Sequence, residues 1–92
     1  MGKEKVLFKT EEKRSRAEVA AFLRELAGKV DEGEVTLQRG DEKQVLQLPG
    51  QLTLEVKAEE EAIRKGSAVK MSLEVELEWK PGEDDQGSLS LG

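Results

Sequence analysis

Cysteine, histidine and tyrosine are absent from this chain of 92 residues, and its only aromatic residues are Phe8, Phe22 and Trp79. Without cysteine there is no disulfide framework and no thiolate metal site. Without histidine the commonest metal ligand is gone, along with the side chain most used for acid–base catalysis near neutral pH. Ser15, Ser67, Ser72, Thr36 and Thr53 therefore have no imidazole to activate them. So few aromatics oblige the core to be aliphatic, built mainly from Leu and Val. Long apolar runs are missing too: the longest, Val19 to Leu23, falls far short of the ~20 residues of a membrane-spanning helix. The start, Met-Gly-Lys-Glu-Lys, lacks the apolar centre of a signal peptide, and Val6 stands where myristoylation wants Ser or Thr. A cytoplasmic protein without membrane contact is the expectation.

Charge is abundant but uneven. Residues 1–30 carry eight Lys/Arg against five Glu, a net of +3, whereas residues 31–92 carry seven against fifteen acids, a net of −8. An acidic total argues against general nucleic-acid binding, which depends on neutralising phosphates. The exception is the basic stretch Lys9, Lys13, Arg14 and Arg16.

The clearest local pattern is Met71-Ser72-Leu73-Glu74-Val75-Glu76-Leu77-Glu78-Trp79, an unbroken alternation of apolar and polar residues. A strand sends successive side chains to opposite faces, so this one is apolar on one side and acidic on the other. Upstream, Lys5–Lys9 reads as a short strand with Val6 and Phe8 on one face. Ser15 with Glu18 three residues on forms the capping box that opens a helix, and Val19, Phe22, Leu23, Leu26, Ala27 and Val30 follow as its apolar stripe. Glu25 and Lys29 lie four apart in the favourable order. The helix is expected to stop near Val30, with Gly33 as the left-handed residue beyond it.

Glu34–Arg39 is the next strand, with Val35 and Leu37 inward. A turn through Gly40-Asp41-Glu42 leads to Lys43–Leu48, where placing Leu46 and Leu48 opposite Leu37 and Val35 buries more than placing Val45 inward. Pro49-Gly50 marks a further tight turn. Leu52 to Ala58 alternates as a fourth strand, Glu59–Ala68 reads as a charged loop, and Pro81-Gly82 ends the final strand. The expected fold class is α+β, in two layers: one helix on a mostly antiparallel five-stranded sheet, β-α-β-β-β-β, with strand order 2-3-4-5-1. That order puts Lys5 and Lys9 beside Glu74, Glu76 and Glu78. Residues 1–80 form the expected domain, and the acidic, Gly/Ser-rich stretch 81–92 is expected to be a disordered tail.

Five stretches together resemble the amphi-Trp domain, a small family whose members end in an amphipathic strand closed by tryptophan. They are Leu7-Phe8-Lys9, Ser15-Arg16-Ala17-Glu18-Val19-Ala20, Leu23-Arg24-Glu25-Leu26-Ala27, Gly33-Glu34-Val35-Thr36-Leu37 and Ser72 through Trp79. They span most of residues 6–80 and leave out the tail from Pro81. The resemblance supports the domain boundaries and implies no activity, ligand or catalytic residue.

The acidic groups fall short of a catalytic or metal constellation. Alternate residues of the Glu74/Glu76/Glu78 ladder lie ~6.8 Å apart, too far to close a coordination shell by themselves. Glu59-Glu60-Glu61 and Asp84-Asp85 lack the spaced pattern of a calcium loop, and Arg64-Lys65-Gly66-Ser67 lacks the glycines of a phosphate loop. No catalytic residue, cofactor or metal is therefore assigned. The expected function is a small non-enzymatic protein-interaction module acting through a sheet edge, notably Glu34–Arg39, or through self-association, as a monomer or weak homodimer. The alternative is anion or nucleic-acid binding by Lys13, Arg14 and Arg16 at the helix start. Trp79 is read as a core plug, or else as an interaction anchor.

Overall fold

The computed structural model describes residues 3–63 and 68–82. Its elements are a helix α1 (Arg16–Glu32) followed by strands β1 (Glu34–Arg39), β2 (Glu42–Gln47), β3 (Thr53–Ala62) and β4 (Val69–Glu78). The chain divides into two compact units, Met1–Leu48 and Pro49–Gly92.

Helix α1 begins where its capping chemistry dictates. The Ser15 side chain accepts from the Glu18 N–H and the Glu18 carboxylate accepts from the Ser15 N–H, both at 3.0 Å. Those two bonds satisfy donors that the first helical turn cannot pair internally. The helix runs two residues past Val30 and ends at Gly33, whose φ of +89° is the left-handed conformation that glycine adopts without steric cost. Only the C-terminal part of the apolar stripe is covered: Leu26 and Val30 are half-buried, while Val19, Phe22 and Leu23 are exposed. Within its own unit α1 packs against β1 and not against β2, so a single strand covers part of the stripe.

Strands β1 and β2 form an antiparallel hairpin closed by Gly40 and Asp41. Gly40 has φ +58° and no described non-glycine residue has a positive φ, the arrangement of a type II′ turn, whose twist suits a two-residue hairpin loop. Val35 is the buried apolar residue of the described set, 6% exposed. The expected facing holds, with Leu46 inward and Val45 exposed, but the register differs by two residues. Val35 lies opposite Leu46, and Leu37 lies opposite Gln44. The turn tightens onto Gly40 because that residue supplies the positive φ the short loop needs.

The five-stranded sheet of order 2-3-4-5-1 is not formed. Among the described residues there are two separate two-stranded sheets, β1-β2 and β3-β4. Lys5–Lys9 is not a strand, and the expected hairpin across Pro49-Gly50 is not made, since β2 and β3 do not pair. Two physical causes act there. The Leu48 N–H donates to the Gly33 carbonyl at 2.8 Å, which holds the end of β2 back against the helix cap. Pro49 then has no N–H to offer a ladder. Residues Glu59 to Ala62, expected in a loop, instead extend β3, because each pairs with a residue of β4 from Ser72 back to Val69. The ribbon closes over a short connection, with the Ile63 N–H donating to the Ala68 carbonyl at 3.0 Å. The phosphate-loop comparison at Arg64–Ser67 and the tail 83–92 lie outside the described residues.

Candidate interaction surfaces

In the β3–β4 ribbon the pairing is Leu54 with Leu77, Val56 with Val75, Ala58 with Leu73, Glu60 with Met71 and Ala62 with Val69. Strand alternation puts these ten residues on one face. All but Glu60 are apolar, and most of the larger ones are strongly exposed, Leu73 to 71% and Met71 to 65%. Within this unit, nothing among the described residues covers the face expected to be the inward side of a sheet. Continued one step past the paired residues, the register reaches Leu52 and Trp79, both half-buried. Trp79, the candidate anchor, therefore stands just beyond β4 at the end of the apolar row.

The opposite face is acidic. Glu55 lies directly opposite Glu76, Thr53 opposite Glu78 and Glu59 opposite Ser72. Its cations come from within the ribbon: Lys57 faces Glu74, with Nζ to Oε1 at 3.8 Å, and Lys70 faces Glu61. Lys5 and Lys9 are not the strand neighbours of these glutamates, since they lie on no strand. A hydrogen bond shared with Glu55, followed by the negative charge of Glu78, raises the Glu76 carboxyl above the ordinary carboxylate value. Among the described residues no group of three or more acidic side chains gathers in a way that would hold a metal ion.

A groove of about 350 Å³ opens in the first unit. Phe8, Phe22 and Leu26 form one wall, and the five consecutive residues Val35 to Arg39 form the other. Consecutive residues of a strand point alternately to its two faces, so a cavity lined by all five follows the strand's edge and not one face. That edge of β1 has no ladder partner among the described residues, where β1 pairs only with β2. Phe8, expected as an inward strand residue, reaches the groove from an irregular segment.

The three basic candidates at the helix start differ in their surroundings. Arg14 Nε donates to Glu12 at 2.9 Å, and its Nη1 lies 3.9 Å from Glu18. These carboxylates, Glu12 first through its hydrogen bond, raise the Arg14 pKa further. Glu18 is held below the ordinary carboxylate value, chiefly by the backbone N–H of Ser15. Lys13 and Arg16 are exposed. The helix start thus offers two cations, while the capping box occupies two of the backbone and hydroxyl groups that an anion would use.

Residue patterning makes the apolar row legible, but its exposure has no sequence signal. The groove at the β1 edge is likewise hidden, because Phe8 enters it without belonging to a strand. No helix among the described residues is long and apolar enough to cross a membrane. No curated protein and no solved structure matches the chain. A family model does match, over residues 1–92, and so takes in the stretch from Pro81 that the five motifs leave out. With the capped helix, the amphipathic final strand and its closing tryptophan all in place, the chain belongs to the Amphi-Trp domain family.

Proposed function

We propose that this chain is a non-enzymatic protein-interaction module whose principal contact surface is the apolar face of β3–β4. The observation that carries this reading is the continuous row of aliphatic side chains left open on a two-stranded ribbon. An isolated two-stranded ribbon is marginal in water, and contiguous apolar patches of this extent mark interaction sites on soluble proteins. The composition agrees, since the chain has no histidine, cysteine or tyrosine for acid–base or nucleophilic work. The acidic groups with altered protonation, Glu18 and Glu76, are in open solvent and not in an apolar pocket.

The test is a comparison of variants in capture from the native cell. Leu73→Glu and Val75→Lys place charges in the middle of the apolar face and are expected to abolish partner retention. Glu74→Gln, on the opposite face, is expected to retain it. Equal retention by all three would refute the reading.

The β1 edge supports a second contact. A groove along an unpaired strand edge suits an extended peptide that adds its own strand and sends alternate apolar side chains toward Phe8, Phe22 and Leu26. Anion or nucleic-acid binding at Lys13, Arg14 and Arg16 has less support, because Arg14 already carries two carboxylates.

A further inference from the structure

We infer that the occupant of the β3–β4 face is a second copy of this chain, stacked face to face with its strands antiparallel to the first. This rests on the reading of that face as a contact surface and adds the identity and orientation of the partner.

Area is the first argument. Leu54, Val56, Val69, Met71, Leu73 and Val75 are each between 46% and 71% exposed. Covering side chains of this size and exposure removes roughly 80–100 Å² apiece, so a symmetric pair would bury on the order of 1,000–1,200 Å². That is the scale at which specific interfaces begin. A ribbon of this length meeting its own copy reaches it without recruiting any other surface.

Orientation is the second, and the one acid on the face decides it. With antiparallel strands, related by a twofold axis that crosses the ribbon near Ala58, the two Glu60 carboxylates fall on opposite sides of the axis, roughly 13 Å apart along the strands. Parallel strands would bring both to one level and set like charges together in the interface. Charge is the third argument, and it sets the stoichiometry. The outer face of each ribbon is acidic on balance, with Glu55, Glu59, Glu61, Glu74, Glu76 and Glu78 against Lys57 and Lys70, so a third ribbon meets like charge and the assembly closes at two.

Sedimentation equilibrium of the full chain across a concentration series tests the stoichiometry. A monomer–dimer equilibrium is expected, weakened roughly a hundredfold by Leu73→Glu and by Val75→Lys and unchanged by Glu74→Gln. Both substituted residues are already exposed, and the fluorescence of Trp79, just beyond β4, verifies folding of the ribbon in each variant. Orientation is read from nitroxide labels, since a chain without cysteine accepts a single thiol cleanly. Labels at Thr53→Cys are expected ~34 Å apart along the strands, ten residues of ~3.4 Å rise, whereas labels at Lys57→Cys lie near the axis and much closer. Equal separations at the two positions would overturn the antiparallel stacking. A wild-type chain that stays monomeric at several hundred micromolar would overturn the second copy as occupant. If Leu73→Glu then still abolished capture of a different protein, the contact-surface reading would stand; unchanged capture would remove both.

Discussion

Val35→Ala and Val75→Ala remove the same two methyl groups from two strands of one chain, and the structure predicts quite different costs. Complete burial of two such groups is worth about 1.6 kcal/mol, at ~0.8 kcal/mol each. Val35 is 6% exposed, so its truncation forfeits nearly all of that. The space left behind brings the expected loss to about 1.5–2.5 kcal/mol. Val75 is 61% exposed, which leaves only about 0.6 kcal/mol to lose. The lower strand propensity of alanine affects both positions and largely cancels in the comparison. Urea unfolding of the full chain separates them, with far-ultraviolet circular dichroism reporting α1 and fluorescence of the only tryptophan, Trp79, reporting the ribbon. At low micromolar concentration the Val35 variant should lose about 1 kcal/mol or more beyond the Val75 variant. At several hundred micromolar, mass action couples the dimer to folding, so the Val75 loss should climb toward that of Val35 while the latter stays put. Equal losses in the dilute sample would refute the reasoning, because Val75 would then already be covered.

Two further outcomes concern local electrostatics and capping. Ser15→Ala removes the hydroxyl that accepts the Glu18 N–H and is expected to cost the helix about 1 kcal/mol. The folded-state value of Glu18 lies below its unfolded one, so its stabilisation is complete above the ordinary carboxylate pKa of ~4.3 and is lost as pH falls through the lowered value. An acid titration of the helical signal in wild type and Ser15→Ala checks both statements. Glu76 has the opposite sign: its folded-state value is raised, so repulsion weakens the ribbon at neutral pH and is relieved as pH falls through that raised value. Glu55→Gln should therefore stabilise the ribbon at neutral pH, with the gain fading on acidification and in high salt. Trp79 fluorescence melts across pH measure it, and a gain independent of pH would contradict the pairing.

Sequence and structure agree best where the determining chemistry is local. Ser15, Glu18 and Gly33 locate the helix ends because the bonds they make there are with residues no more than four positions away. In the strands the corresponding signal is alternation, which assigns the facing of Val35, Leu37, Leu46 and Leu73 but not their neighbours across the ladder. A period of two is satisfied by any partner of the right parity. The observed β1–β2 register therefore stands two residues from the expected one, and the expected five-stranded sheet joins strands that do not pair. Glu59 to Ala62 shows a different limit. Three successive glutamates look like a loop, yet each backbone pairs with β4, since charge on an edge strand is compatible with a ladder that water can reach. For the candidate surfaces, the sequence reveals which residues share a face, but whether that face is covered is a tertiary property with no local signature.

Gly33 joins two structures through one residue. Its N–H donates to the Lys29 and Val30 carbonyls at the end of the helix, and its own carbonyl accepts from Leu48 at the open end of the β1–β2 hairpin. Fraying of the last helical turn and unzipping of the hairpin's free ends both act on this one residue. Within the first forty-eight residues a helix terminus thus serves as a clasp between neighbouring elements.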